Sequence, residues 1–241
     1  MTLLTIVQAV ADTTNGPRPS TVAGSTNVDA QTYLRIVNKV GTKLMKAYAW
    51  NILRKEKTFT ASGNETAFAS ADMPSDFDRF VPETFWNRST KRLMSGPISA
   101  TEWAGLKAMA YSGPLTKFTY RGGDILAIPT VGASSTCAFE YVSNNWCQSS
   151  GGTGQSAFAA DTDTGILDEE LITLAATYAW SVSQNMDASG AFSDFKDYFD
   201  TLLSNEDATA GIAVAADIFG GNSRHFDGTP PGTYSFYDGL T

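Results

Sequence analysis

Apolar residues recur at helical spacing near both ends of the chain and at strand spacing through its middle, so the sequence predicts helices at both ends of a β-rich centre. Leu3, Ile6, Val7 and Val10 predict a first helix of about three turns, with Thr2 as N-cap and Asn15-Gly16-Pro17 as its stop. Past the polar stretch Arg18 to Asn27, a longer helical pattern runs from about Val28 to Arg54. Leu34, Val37, Gly41, Leu44 and Tyr48 share one stripe of it, and Arg35, Lys39, Lys43 and Lys46, at spacings of four, four and three, share another.

From Lys57 to Val142 the period falls toward two and turn residues punctuate the chain about every ten residues. Three strand pairs are readable there: Thr58–Thr60 with Ala67–Ala69 around Gly63-Asn64, Phe80–Trp86 with Arg92–Met94 around Asn87–Thr90, and Phe118–Tyr120 with Ile125–Ile128 around Gly122-Gly123-Asp124. At least two should be hairpins. Ser99-Ala100-Thr101-Glu102 fits a capping box and opens a short helix from about Ala100 to Met109. SSGGTGQ, Ser149 to Gln155, reads as a flexible connector. Beyond it Leu167, Leu171, Leu174, Ala175, Tyr178 and Val182 make one apolar stripe, with Asp163 and Thr164 as cap candidates and Asp168, Glu169 and Glu170 in the dipole-favoured first turn. Asp187 to Gly190 breaks this helix. Phe192, Phe195, Phe199 and Leu202 carry a further one to about Asn205, antiparallel to its predecessor.

The chain has 241 residues, enough for a sizeable core, and its 42 % hydrophobic content argues against disorder throughout. No stretch approaches the ~20 apolar residues of a membrane span. Two cysteines, Cys137 and Cys147, are too few for a disulfide scaffold, and the first residues resemble no secretory leader, so folding in a reducing cytoplasm is expected. The net charge of -8 is unevenly placed: residues 1–160 hold 15 Lys and Arg against 11 Asp and Glu, whereas residues 161–241 hold 2 against 14. Such a split suits either a nucleic-acid face or opposite charges meeting where copies of the chain touch, and an acidic total leans toward the second.

Chemistry-bearing patterns are sparse. The lone histidine, His225, lies in a glycine-rich stretch with no serine or cysteine motif pointing to it, and one histidine with two cysteines falls short of a zinc site. Ser149–Ser156 approximates a phosphate-binding loop but has Gln155 where the lysine belongs. Asp161 and Asp163 open like a calcium loop, but the closing position is Ile172, and helix capping accounts for them better. No catalytic residue, metal or cofactor is assigned. Asp76, Asp78 and Glu83 cluster in the β region and leave a carboxylate-pair hydrolase, cutting cell wall, as the alternative. A monomeric DNA-binding module using the basic stripe is a third reading. After Ala208 the aromatic residues Phe219, Phe226, Tyr234, Phe236 and Tyr237 are spaced along a glycine-rich string that reads either as a solvated tail or as a segment ordered by a partner.

Four runs carry a family resemblance: FDRFVPETFWNRSTKR (Phe77–Arg92), YRGGDILAIP (Tyr120–Pro129), AFEYVSNNWCQ (Ala138–Gln148) and DTDTGILDEELITL (Asp161–Leu174), following a helix that ends AWNILRKEKTF. In this order they resemble the head-to-tail adaptors of tailed bacteriophages, in the group of the podovirus tail accessory factors and tail tubular protein A, over residues 1 to 205. The resemblance implies a structural virion protein: a ring, usually of twelve copies, between the portal protein and the tail tube or nozzle, through which DNA passes without sequence-specific binding. It further implies a helical part forming the ring, a β-rich part on the tail side and a C-terminal segment reaching the portal. The expected architecture is α+β, with a helical part from residues 1–56 and 161–207, a β-rich insertion 57–160, and an extended tail 208–241. The expected seam sets Arg35, Lys39, Lys43 and Lys46 of one copy against Asp194, Asp197 and Asp200 of the next.

Overall fold

The computed structural model describes residues 1–206, and the tail from Ala208, including the five aromatic residues proposed for the portal, lies outside the described residues. The fold is α+β. Its elements, in chain order, are α1 (Leu3–Thr14), α2 (Val28–Ala47), β1 (Arg54–Thr60), β2 (Thr66–Phe68), β3 (Phe77–Phe80), β4 (Trp86–Asn87), β5 (Arg92–Leu93), α3 (Ala100–Ala108), β6 (Lys117–Arg121), β7 (Asp124–Ile128), β8 (Thr136–Ser143), β9 (Cys147–Gln148), β10 (Gly154–Gln155), β11 (Thr164–Gly165), α4 (Glu169–Ser183) and α5 (Ser189–Glu206). They form two compact units, Met1–Tyr48 together with the chain from Trp146, and Ala49–Asn145.

In the helical unit, local signals set the helix ends. Thr2 and Thr5 form a reciprocal capping box on α1, Asn15 closes it in the left-handed region at φ 52°, and the Asn27 side chain caps α2 by accepting from the Asp29 and Ala30 amides. Helix α4 packs against α1, α2 and α5. It therefore buries more than one face: Ile172, Ala176 and Trp180 are buried as well as Leu171 and Ala175, while Val182, expected on the buried stripe, is 50 % exposed. Small residues at Ala175 and Ala176 suit such close packing. Tyr33 of α2 stacks on Trp180 of α4 at 3.8 Å between ring centres. Helix α5 lies antiparallel to α4, since Phe192 near its start meets Tyr178 and Tyr198, midway along it, meets Asp168 at the N-terminus of α4.

Three readings of this unit are corrected. The long helix stops at Ala47, because Tyr48 is extended and residues 54–60 belong to β1, which pairs along its length with β8. Consequently residues 49–56 belong to the β unit and residues 146–160 to the helical unit. The connector Ser149–Gln155 is a tight β-turn with an ordered hairpin: Ser149 N–H donates to Thr153 O at 2.9 Å, and β9 pairs with both β10 and β11. Asp161 and Asp163 do not cap α4, whose N-cap is Asp168. The Asp161 carboxylate accepts from the Val22 and Ala23 amides and so ties its loop to the segment before α2, while that of Asp163 accepts from Ala159 and Ala160 at 2.8 Å each and closes its own turn.

The β unit has a five-stranded sheet in which β8 is central, with β1 on one side and β4 and β3 on the other, and a three-stranded sheet β2-β7-β6. Two of the three expected strand pairs are hairpins, β4–β5 and β6–β7; Gly122 and Gly123 supply the positive φ that the second turn requires. The pair around Gly63-Asn64 does not form. Strand β1 instead pairs with β8 and β2 with β7. Phe59, Phe68, Phe85, Phe118 and Phe139 fill the core between them. Helix α3 begins at Ser99, whose hydroxyl accepts from the Glu102 amide, but the Glu102 carboxylate pairs with Lys117 at 2.6 Å.

Candidate assembly surfaces

On α2, Arg35, Lys39, Lys43 and Lys46 fall within an arc of about 80° at ~100° per residue, roughly opposite the buried face of Val37, Gly41 and Leu44. Arg35, Lys39 and Lys46 are exposed. Lys43 turns toward α4, where burial and then the Lys39 charge lower its pKa. Lys39 and Lys43 border a hollow of about 290 Å³ floored by Ile36 and Val40 of α2 and by Tyr178, Ala179 and Val182 of α4. The basic face thus has an apolar floor.

The acidic partners are less uniform. Asp194 and Asp197 of α5 are exposed, but a walk in steps of three turns Asp200 toward the buried side of Phe195 and Phe199. Asp200 is half-buried: burial raises its pKa, Lys196 at 3.9 Å lowers it and Asp197 raises it further. The exposed acidic edge is Asp194 and Asp197.

Asp194 also borders a groove of about 460 Å³ bounded by α1, α4 and α5. Its floor on α4 is Thr173, Thr177 and Ser181, at i, i+4 and i+8, and its rim includes Glu170 and Asp187; among the described residues no Lys or Arg lines it, and the ammonium of Met1, which also borders it, is paired with Glu169. This row of small hydroxyl residues is not singled out in the sequence, where Glu170 and Asp187 read only as helix-end residues. Measured around α4 at ~100° per residue, this groove and the Lys39/Lys43 hollow face about 150° apart. One helix therefore separates a basic surface from an acidic one.

Residues weighed for other chemistry are placed as follows. The Asp76 carboxylate accepts from Lys55 Nζ at 2.6 Å, Ser143 Oγ at 2.7 Å and Tyr141 Oη at 3.0 Å. Burial alone would raise its pKa, but these hydrogen bonds and the Lys55 charge outweigh burial and hold it below the usual range. Asp78 pairs with Arg79 at 2.8 Å, and Glu83, in the left-handed region at φ 61°, borders a separate hollow on the outer face of the sheet. Both cysteines are buried thiols, with burial pushing Cys137 up to about 11, and burial together with the Asp163 charge pushing Cys147 up to about 12. Among the described residues no cluster of three or more His, Cys, Asp or Glu could hold a metal ion, and no helix is long and apolar enough to cross a membrane. No protein-family model matches the chain, and no curated protein matches it.

Proposed function

We propose that this chain is a structural virion protein of a tailed bacteriophage, a head-to-tail adaptor that forms a ring between portal and tail, helps retain packaged DNA and leaves a channel for ejection. The observation that carries the reading is the pair of unlike, oppositely charged surfaces on opposite sides of α4. A contact that joins two different patches repeats head to tail and closes into a ring when the rotation allows. The ordered sequence runs that resemble the adaptor family support the same reading and supply its setting: assembly in the host cytoplasm, twelve copies, and a location at the portal vertex of the virion. In this assembly Arg35, Lys39, Lys43 and Lys46 meet Asp194 and Asp197 of the neighbour, with Glu170 and Asp187 beside them.

The test reverses charge on each side in turn. Changing the four basic residues to glutamate lowers incorporation into particles and makes any residual ring strongly salt-sensitive, because exposed pairs contribute only ~0.2 to 1 kcal/mol each and are screened. Adding Asp194→Lys and Asp197→Lys to the same chain restores assembly. Normal rings from the four-glutamate chain overturn the seam, and labelled virions lacking the chain at the portal vertex overturn the adaptor reading itself. Clearing of cell wall by the purified protein, lost in an Asp76→Asn chain that circular dichroism shows to be folded, establishes the hydrolase alternative instead.

A further inference from the structure

We infer that the outer face of the five-stranded sheet carries a saccharide-binding site centred on Trp86. This inference is independent of the adaptor reading and concerns the β unit alone. Strand register sets the geometry. Phe59, Phe85, Cys137 and Phe139 point into the core, so their alternating neighbours Thr58, Trp86, Ala138 and Glu140 point outward. Trp86 pairs across the ladder with Ala138, whose single methyl leaves space beside the indole, and Trp86 is 45 % exposed while the neighbouring Phe85 is buried. The result is a hollow of about 450 Å³, within the ~300 to 1,000 Å³ range of small-molecule sites.

The rim of the hollow decides the ligand class. Glu56, Glu83 and Glu140 supply carboxylates, and Arg88 and Lys91 supply cations, with Arg88 paired to Glu56 at 2.7 Å. Three negative charges against two positive ones nearly cancel, so a polyanion such as nucleic acid meets as much repulsion as attraction, and a polycation fares little better. A neutral pyranose matches every part. Its C–H face lies flat on the indole, and its vicinal hydroxyls both donate to carboxylates and accept from the guanidinium, groups whose two-pronged geometry fits adjacent oxygens. An apolar protein surface would strip water from Glu83, Lys91 and the exposed Arg88–Glu56 and Arg54–Glu140 pairs without replacing it, a poor exchange for their hydration.

The experiment uses the purified full chain and a panel of neutral oligosaccharides, the hexasaccharides of glucose, galactose, mannose and N-acetylglucosamine, each at about 10 mM, a range that detects weak binding. Saturation-transfer NMR should show at least one sugar contacting the protein through its ring C–H protons. Trp86→Ala should weaken that binding about tenfold or more, Trp86→Phe should retain part of it, and Arg88→Ala should weaken it without removing the C–H contact. Thermal unfolding of each variant, unchanged for these outward side chains, separates a lost site from a lost fold. Absence of transfer from every sugar, or binding equal in Trp86→Ala, overturns the proposal. Binding of heparin, or a concentration-dependent dimer abolished by Trp86→Ala with no sugar bound, likewise overturns it in favour of a polyanion or a second copy.

Discussion

Gly41→Ala tests how tightly the helical unit is built around its one fully enclosed indole. A Cβ on Gly41 would fall 2.3, 2.4 and 2.5 Å from three atoms of the Trp146 ring, where carbon contacts settle at about 3.5 to 4.0 Å. The ring cannot easily give way. Its Nε1 donates to Ser156 O at 2.7 Å, and Phe158 abuts it edge to face at 4.9 Å between centres. Helix propensity alone favours alanine over glycine by roughly 1 kcal/mol. Against that, overpacking costs about 1 to 3 kcal/mol and loss of the buried indole hydrogen bond roughly another 1 kcal/mol, so the substitution is expected to destabilise by about 1 to 3 kcal/mol net. Urea unfolding followed by far-ultraviolet circular dichroism reads the change, and hydrogen exchange of the α2 amides localises it to this unit. Combining Gly41→Ala with Trp146→Phe, which shrinks the ring, should cost less than the sum of the two single changes. A Gly41→Ala chain as stable as the parent, or strict additivity in the double variant, refutes the close approach.

The Asp76 network links stability to pH. Its folded pKa is depressed, so its contribution is present above the unfolded carboxylate value of ~3.9 and is lost as pH falls through the folded value. Asp76→Asn should therefore destabilise by about 1.5 to 3 kcal/mol at pH 7, with the difference from the parent shrinking in acid; a pH-independent difference in urea titrations counts against it. Asp163→Ala leaves the Ala159 and Ala160 amides without their acceptor and should cost roughly 1 to 3 kcal/mol, read as a lower urea midpoint, whereas Asp163→Asn, which keeps an acceptor oxygen, should cost less. Lys39→Glu with Lys46→Glu should leave the melting temperature of the isolated chain within experimental scatter, because Lys39 and Lys46 are exposed, while lowering self-association in sedimentation at low salt.

Local signals settle whatever a few neighbouring residues can decide. Thr2, Asn15 and Ser99 bound their helices through their own hydroxyl or backbone geometry, Gly122-Gly123 turns its hairpin because adjacent residues demand positive φ, and the basic stripe of α2 follows from spacing along one helix. Tertiary structure decided whatever needs a distant partner. Residues 49–54 carry a helical pattern but leave the helix, since Arg54–Thr60 gains a full ladder with β8 some eighty positions away, and propensity yields to that pairing. The apolar stripe read on α4 was narrower than the surface it buries, because periodicity reports one face and cannot count three neighbouring helices. Asp161 looked like a helix cap because its amide partners Val22 and Ala23 become neighbours only after folding, whereas Asp163 caps the local turn at Ala159 and Ala160 rather than the helix that follows. For the same reason the groove lined by Glu170, Asp187 and Asp194 and the hollow beside Trp86 were invisible in sequence: each is a concavity between segments, and a concavity has no local signature until packing and strand register bring its walls together.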